Sequence, residues 1–135
     1  MGVVALIERD GMLLMDHRVD GGWGLIGGGV EANESLTEAL SREVREEAGL
    51  TVTCYELFGT FSDPSRMIEY TGGDVVRIVT IAYRVQVSDF AGMRPSAESS
   101  ELRFVGRDDL ADLGIVATHR HILASYLSGT RLVLE

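Results

Sequence analysis

Residues 27–50 read GGGVEANESLTEALSREVREEAGL, and the reading of this stretch decides the fold. The spacing predicts a helix over 35–48. Ser35 and Glu38 have the separation of a capping box, and Gly49 stands where a helix end calls for a left-handed residue. At about 100° per residue, Leu36, Leu40, Val44 and Ala48 fall on one apolar arc of roughly 120°. Glu43 and Glu47 lie at the edge of that arc and Glu46 just beyond it. Three carboxylates therefore crowd one side of the helix, half turned toward the core. A helix charged only for solubility would carry them opposite its apolar face, as it does Glu38 and Arg45.

Such crowding is unfavourable: two carboxylates about 5.5 Å apart repel by about 3 kcal/mol at an effective dielectric near 20. Arg42, four residues before Glu46, is placed to pair with it but cannot neutralise all three. Either the carboxylate pKa values rise or a cation sits among them. With oxygen ligands only, and no His or Cys at ligand spacing, that cation should be hard, Mg²⁺ first and Mn²⁺ or Ca²⁺ next. The formal net charge of −9 supports this. It repels nucleic acid and anionic membranes, so neither is expected as a partner, and no basic cluster offsets it. An acidic protein that handles an anionic substrate must invert its local field, and a divalent cation does so most directly.

Outward from the helix, residues 3–9 and 12–18 are apolar runs separated by Asp10-Gly11 and read as a β-hairpin. A short strand is expected at 23–26, followed by a glycine loop, then longer strands at 51–61 and 74–87 with a Pro- and Gly-bearing loop over 62–73. Residues 102–105 read as a last strand, 107–113 as a helical turn, and 118–127 as a C-terminal amphipathic helix ended by Gly129. The result is an α/β sandwich with a mixed sheet between helices. At 135 residues, with 45% apolar and 24% charged residues, the chain 1–135 is expected to be one globular domain. Cys54 is the only cysteine, which excludes an internal disulfide and a cysteine-based zinc site; it reads as a core or strand thiol. No apolar run has the roughly 20 residues that span a bilayer, and the opening MGVVALIERD lacks a cleavable leader pattern, so the cytoplasm is the expected compartment.

Gly28, Glu34, Arg42, Glu43, Glu46, Glu47 and Gly49, at their observed spacing, form a complete Nudix box, and the chain resembles the Nudix hydrolase family. Seven fixed residues at roughly 7% each match by chance at about 10⁻⁸ per start point. Trp23-Gly24-Leu25-Ile26-Gly27-Gly28 is similar to the segment that leads into this box, with Ile26 where many members have proline. The resemblance implies a Nudix-type α/β/α sandwich in which strand, loop and helix form a platform for metal and diphosphate. It implies that Glu46 and Glu47 ligate the metal together with the Gly27 carbonyl, and that Glu43 either ligates a metal or polarises the attacking water. Arg42 would orient a glutamate and Glu34 would hold the loop against the helix. Gly28 and Gly29 would let the backbone approach phosphate, and Gly49 would be structural. The implied reaction is attack of water at phosphorus in a diphosphate, with Mg²⁺ screening charge and Mn²⁺ as a substitute.

Outside the box, Glu98 is the candidate for an additional metal-binding carboxylate. Arg18, with His17 at the end of the second strand, and Arg77, alternating with Val75, Val79 and Ile81, are candidates for substrate contact. Arg66 and Tyr70 read as loop residues within reach of a base or sugar, and His119 and His121 as solvent-facing. The expected substrate is a nucleoside diphosphate linked to another group, such as a nucleotide sugar or ADP-ribose. A nucleoside triphosphate comes second, and a non-catalytic nucleotide-sensing domain third. The apolar tail Leu132-Val133-Leu134 suggests pairing with another copy in a homodimer.

Overall fold

In the computed structural model, which describes residues 1–135, Asp10 and Gly11 take φ of 53° and 76°. Two successive positive φ values make the tight turn that lets β1 (Gly2–Arg9) fold back on β2 (Met12–Arg18). The pairing is brief, Glu8 opposite Leu13 and Arg9 opposite Met12, and the strands then part. The chain continues through β3 (Trp23–Gly24), which pairs with β2, and β4 (Ile26–Gly29), which takes the place beside β1 that β2 has left. Then follow α1 (Leu36–Ala48), β5 (Val52–Phe61), β6 (Met67–Glu69), β7 (Val75–Arg77), β8 (Thr80–Val87), β9 (Ser99–Val105), α2 (Arg107–Leu110) and α3 (Ala117–Leu127). β8 runs parallel to β1, β5 closes its far side antiparallel, and β9 pairs antiparallel with β2. The sheet is mixed and seven-stranded, and β6 and β7 form a separate ribbon.

Alternation along β1 explains the layering. Val3, Ala5 and Ile7 pack with Leu40, Val44 and Ala48 of α1, while Val4 and Leu6 point to the opposite face and join Ile122 and Leu123 of α3. Helices thus cover both faces, the α/β/α arrangement expected from the sequence.

Several expectations are corrected. The glycine segment is strand through Gly29: Ile26, Gly27, Gly28 and Gly29 oppose Ala5, Val4, Val3 and Gly2 in turn. An isoleucine at 26 keeps the backbone N–H that proline lacks, and its side chain is buried. The single strand expected over 74–87 is broken at Ile78. There the N–H donates to the Arg66 carbonyl (2.8 Å) and the carbonyl accepts from Arg66 Nε (3.2 Å), so β7 is released to pair with β6. The loop expected over 62–73 therefore contains a strand. The break also ends the alternation that placed Arg77 on an apolar face: Arg77 is exposed and donates to the Ser62 carbonyl.

Arg66 is buried, not a surface-loop residue; it also donates to the Thr118 carbonyl and Thr80 Oγ1, both at 2.8 Å. Cys54 lies on β5 and is exposed. The C-terminal tail lies along this chain's own β5. The Thr60 N–H donates to the Val133 carbonyl and the Val133 N–H to the Phe58 carbonyl, while Leu132 and Leu134 face outward. No helix is long and apolar enough to cross a membrane.

Candidate active site

Where β1 and β2 part, a cleft of about 770 Å³ opens. Its floor is Gly27 to Gly29 of β4 with Glu47 of α1. One wall is the end of β2 with Asp16 and Arg18, and the opposite wall is the β6–β7 ribbon with Ile68, Tyr70 and Val76; Glu98, Thr118 and His119 also line it.

The helix that presents Glu47 is built as its sequence indicates. Ser35 Oγ accepts the Glu38 N–H, Glu38 Oε1 accepts the Ser35 N–H, and Gly49 ends the helix at φ 70°. Arg42 organises the acids around it. Its guanidinium grips Glu34 through two bonds (2.6 and 2.7 Å), reaches Glu43 at 2.7 Å and Glu46 at 3.2 Å, and donates to the Gly29 carbonyl at 2.9 Å. Glu34 in turn accepts the Glu31 N–H, so this one arginine ties helix, loop and β4 together. The Arg42 bonds and the Glu31 N–H hold the Glu34 carboxyl at about 2.

The three box glutamates do not share one environment. Glu43 is 12% exposed and packs over Gly28, where a Cβ would come within 2.6 Å of its carboxylate. Glu46 is 58% exposed. Glu47 turns the other way and accepts the Gly27 N–H at 3.1 Å. Burial pushes its carboxyl up to about 8; the Gly27 bond opposes this, the charges of Glu43 and Asp16 add to it, and Arg18 offsets part. No three His, Cys, Asp or Glu side chains converge as a ready metal cluster. Glu43 and Glu46 both lean on Arg42.

The residues nonetheless suit a hard divalent cation. The donors are all oxygens, Glu47 is desolvated at the cleft floor, and Asp16 Oδ1 is buried with no hydrogen-bond donor. Of the residues expected outside the box, Arg18 and Glu98 reach the cleft and Arg77 does not. Arg18 forms no ion pair, and its guanidinium lies over Gly24 at the cleft.

Two residues that the sequence reading missed also reach the cleft. His119 is 8% exposed rather than solvent-facing, and its Nδ1 accepts the Leu25 N–H at 3.0 Å. Burial lowers its pKa to about 3, with the Arg18 and Arg66 charges adding to the effect. His121 is exposed and lies 3.4 Å from Glu135. Asp16 sits in the apolar run MLLMDHR; the signal was an acid two residues after Leu14, on the same strand face.

A mixed sheet between helices, with an acid-bearing helix packed against a glycine strand, defines the Nudix-type fold. The chain belongs to the NUDIX domain family, whose profile matches residues 1–126. It is similar to proteins named nucleoside triphosphatase NudI. With that of Escherichia coli O139:H28 it shares 42% identity over 78 residues, 53% of this chain and 55% of the relative. With that of Salmonella heidelberg it shares 34% over 130 residues, 90% of this chain and 92% of the relative. The match thus spans about half the length of the Escherichia coli protein and most of the Salmonella one. Among solved structures, an ADP-ribose pyrophosphatase from Streptococcus suis superposes with a TM-score of 0.79 at 20% identity, covering 99% of this chain and 97% of that one.

Proposed function

We propose that this chain hydrolyses a phosphoric anhydride bond of a nucleoside polyphosphate in a reaction that needs a divalent cation, Mg²⁺ with Mn²⁺ as substitute. The observation that carries this reading is the placement of Glu47, desolvated beside Gly27–Gly29 in a cleft that also holds the unpaired Arg18. Gly27, Glu43, Glu46 and Glu47 would hold the metal, which when bound screens phosphate charge and lowers the pKa of water. Arg18 offers a guanidinium to phosphate oxygens, and the lack of side chains on Gly28 and Gly29 allows close approach of the substrate to the backbone. Arg42 and Glu34 position the platform.

The nucleoside end has room along the ribbon wall of Ile68, Tyr70 and Val76. We take nucleoside triphosphates first, the reverse of the order expected from sequence, because the NudI relatives carry that name, whereas the likeness to the ADP-ribose enzyme is one of fold. A panel of nucleoside triphosphates, nucleotide sugars and ADP-ribose with Mg²⁺, scored by product, tests this. Pyrophosphate or phosphate release from triphosphates is expected, and two monophosphates from ADP-ribose or a nucleotide sugar alone would restore the earlier order. Glu47→Gln should lower turnover more than about a hundredfold with the fold intact. Nucleotide binding without turnover by the wild type would instead indicate a sensing domain.

A further inference from the structure

We propose that Asp16 is a cation ligand that this chain adds from β2 to those of the box, acting together with Glu47. The proposal rests on the divalent-cation reading above. Asp16 interrupts an otherwise apolar strand, and by alternation its side chain shares the face of Leu14, which packs under α1. It is 3% exposed, and Oδ1 has no hydrogen-bond donor. Its cross-strand neighbours, Gly24 on β3 and Leu102 on β9, offer no charge.

Neither nearby guanidinium pairs with it. Arg18 lies over Gly24 and forms no ion pair, and Arg103 pairs with Glu101 while its guanidinium lies over Trp23. The acid that α1 brings to this place is Glu47, close enough for the two charges to act on each other, and both line the same cleft. A buried carboxylate without a partner is strongly unfavourable, and a second acid close by makes it more so. One hard cation shared between Asp16 and Glu47 relieves both, and all donors present are oxygens. Glu98, the acid expected from sequence to fill this role, is exposed at the cleft rim and lacks that desolvation.

The test is Mn²⁺ binding to the substrate-free protein, read by the free-ion electron paramagnetic resonance signal, for wild type, Asp16→Asn and Glu47→Gln. Melting temperatures with and without Mg²⁺ accompany it. Asp16→Asn should weaken Mn²⁺ binding by roughly tenfold or more. It should also shrink the Mg²⁺-induced rise in melting temperature, while the metal-free protein melts at the wild-type temperature or above.

Unchanged Mn²⁺ affinity in Asp16→Asn, with weakened binding in Glu47→Gln, overturns the role of Asp16 and leaves the cation reading standing. Unchanged affinity in both variants removes the cation reading itself. Unchanged affinity with a raised KM confined to nucleotides bearing an exocyclic amine would make Asp16 a base acceptor, which also overturns the proposal. Should Asp16→Asn fail to fold, Asp16→Ser serves in its place, and a folded Asp16→Ser with wild-type Mn²⁺ affinity overturns it equally.

Discussion

His119 shows how a single residue can shape the molecule's response to acid. Its ring is enclosed between α3 and the β3–β4 segment, and Nδ1 accepts the Leu25 N–H, so the ring proton sits on Nε2. A charged imidazolium would lose that acceptor and carry a charge into the interior. The folded pKa of about 3 lies below the ordinary 6.5, so the unfolded chain takes up a proton that the folded chain refuses. The stability tied to the neutral ring is therefore complete above about pH 6.5 and lost progressively as the pH falls toward 3. Urea midpoints measured from pH 8 to 4 should fall below pH 6.5 in the wild type. His119→Gln, whose side-chain oxygen can still accept the Leu25 N–H, should be less stable at neutral pH and show a flatter decline. An equally steep decline in that variant would assign the acid sensitivity to other groups.

At the scale of elements, α1 was legible because its signals are local. A capping pair three residues apart, an apolar stripe and a terminal glycine each act within one or two turns, and all appear where they were read. The Arg42 grip on Glu34 follows from the same short range. The ribbon of β6 and β7 was not legible, because what separates it from β8 is long-range: the buried Arg66 binds Ile78, Thr80 and the start of α3 from twelve to fifty-two residues away. Apolar alternation across 74–87 carries no trace of that clamp and puts Arg77 on an apolar face, whereas in the ribbon it is exposed opposite Met67. The ribbon brings Tyr70 to the cleft wall while leaving it exposed. Tyr70→Ala should raise KM for nucleotides by about tenfold, since stacking of a base on an aromatic ring is worth roughly 1–3 kcal/mol. Turnover at saturation and melting temperature should hold. Equal KM values in wild type and variant would place the base elsewhere in the cleft.

At the scale of the whole molecule, the cleft exists because β1 changes partners. It pairs with β2 only near the hairpin and with β4 at its other end, while β8 holds its opposite edge from Gly2 to Ile7, so the sheet divides and a gap opens beside Gly27–Gly29. The unbroken apolar run of β1 accords with its burial on both faces, but the divergence depends on which strands compete for its edges. That is why the glycine segment read as loop, and why Asp16 and His119, which converge from β2 and α3, were not grouped with the box. The same view gives an electrostatic expectation. The protein carries −9, and the cleft lining holds the acids Asp16, Asp20 and Glu98, beside a Glu47 whose carboxyl is pushed up to about 8, against one guanidinium, Arg18. A metal-bound nucleotide that keeps net negative charge therefore approaches against a repulsive field. Added salt screens that field, with a Debye length of about 30 Å at 0.01 M and about 10 Å at 0.1 M. At constant free Mg²⁺, kcat/KM should thus rise as KCl is increased across this range, chiefly through a lower KM. A fall with salt would mean that Arg18 and bound cation together reverse the sign of the field at the cleft mouth.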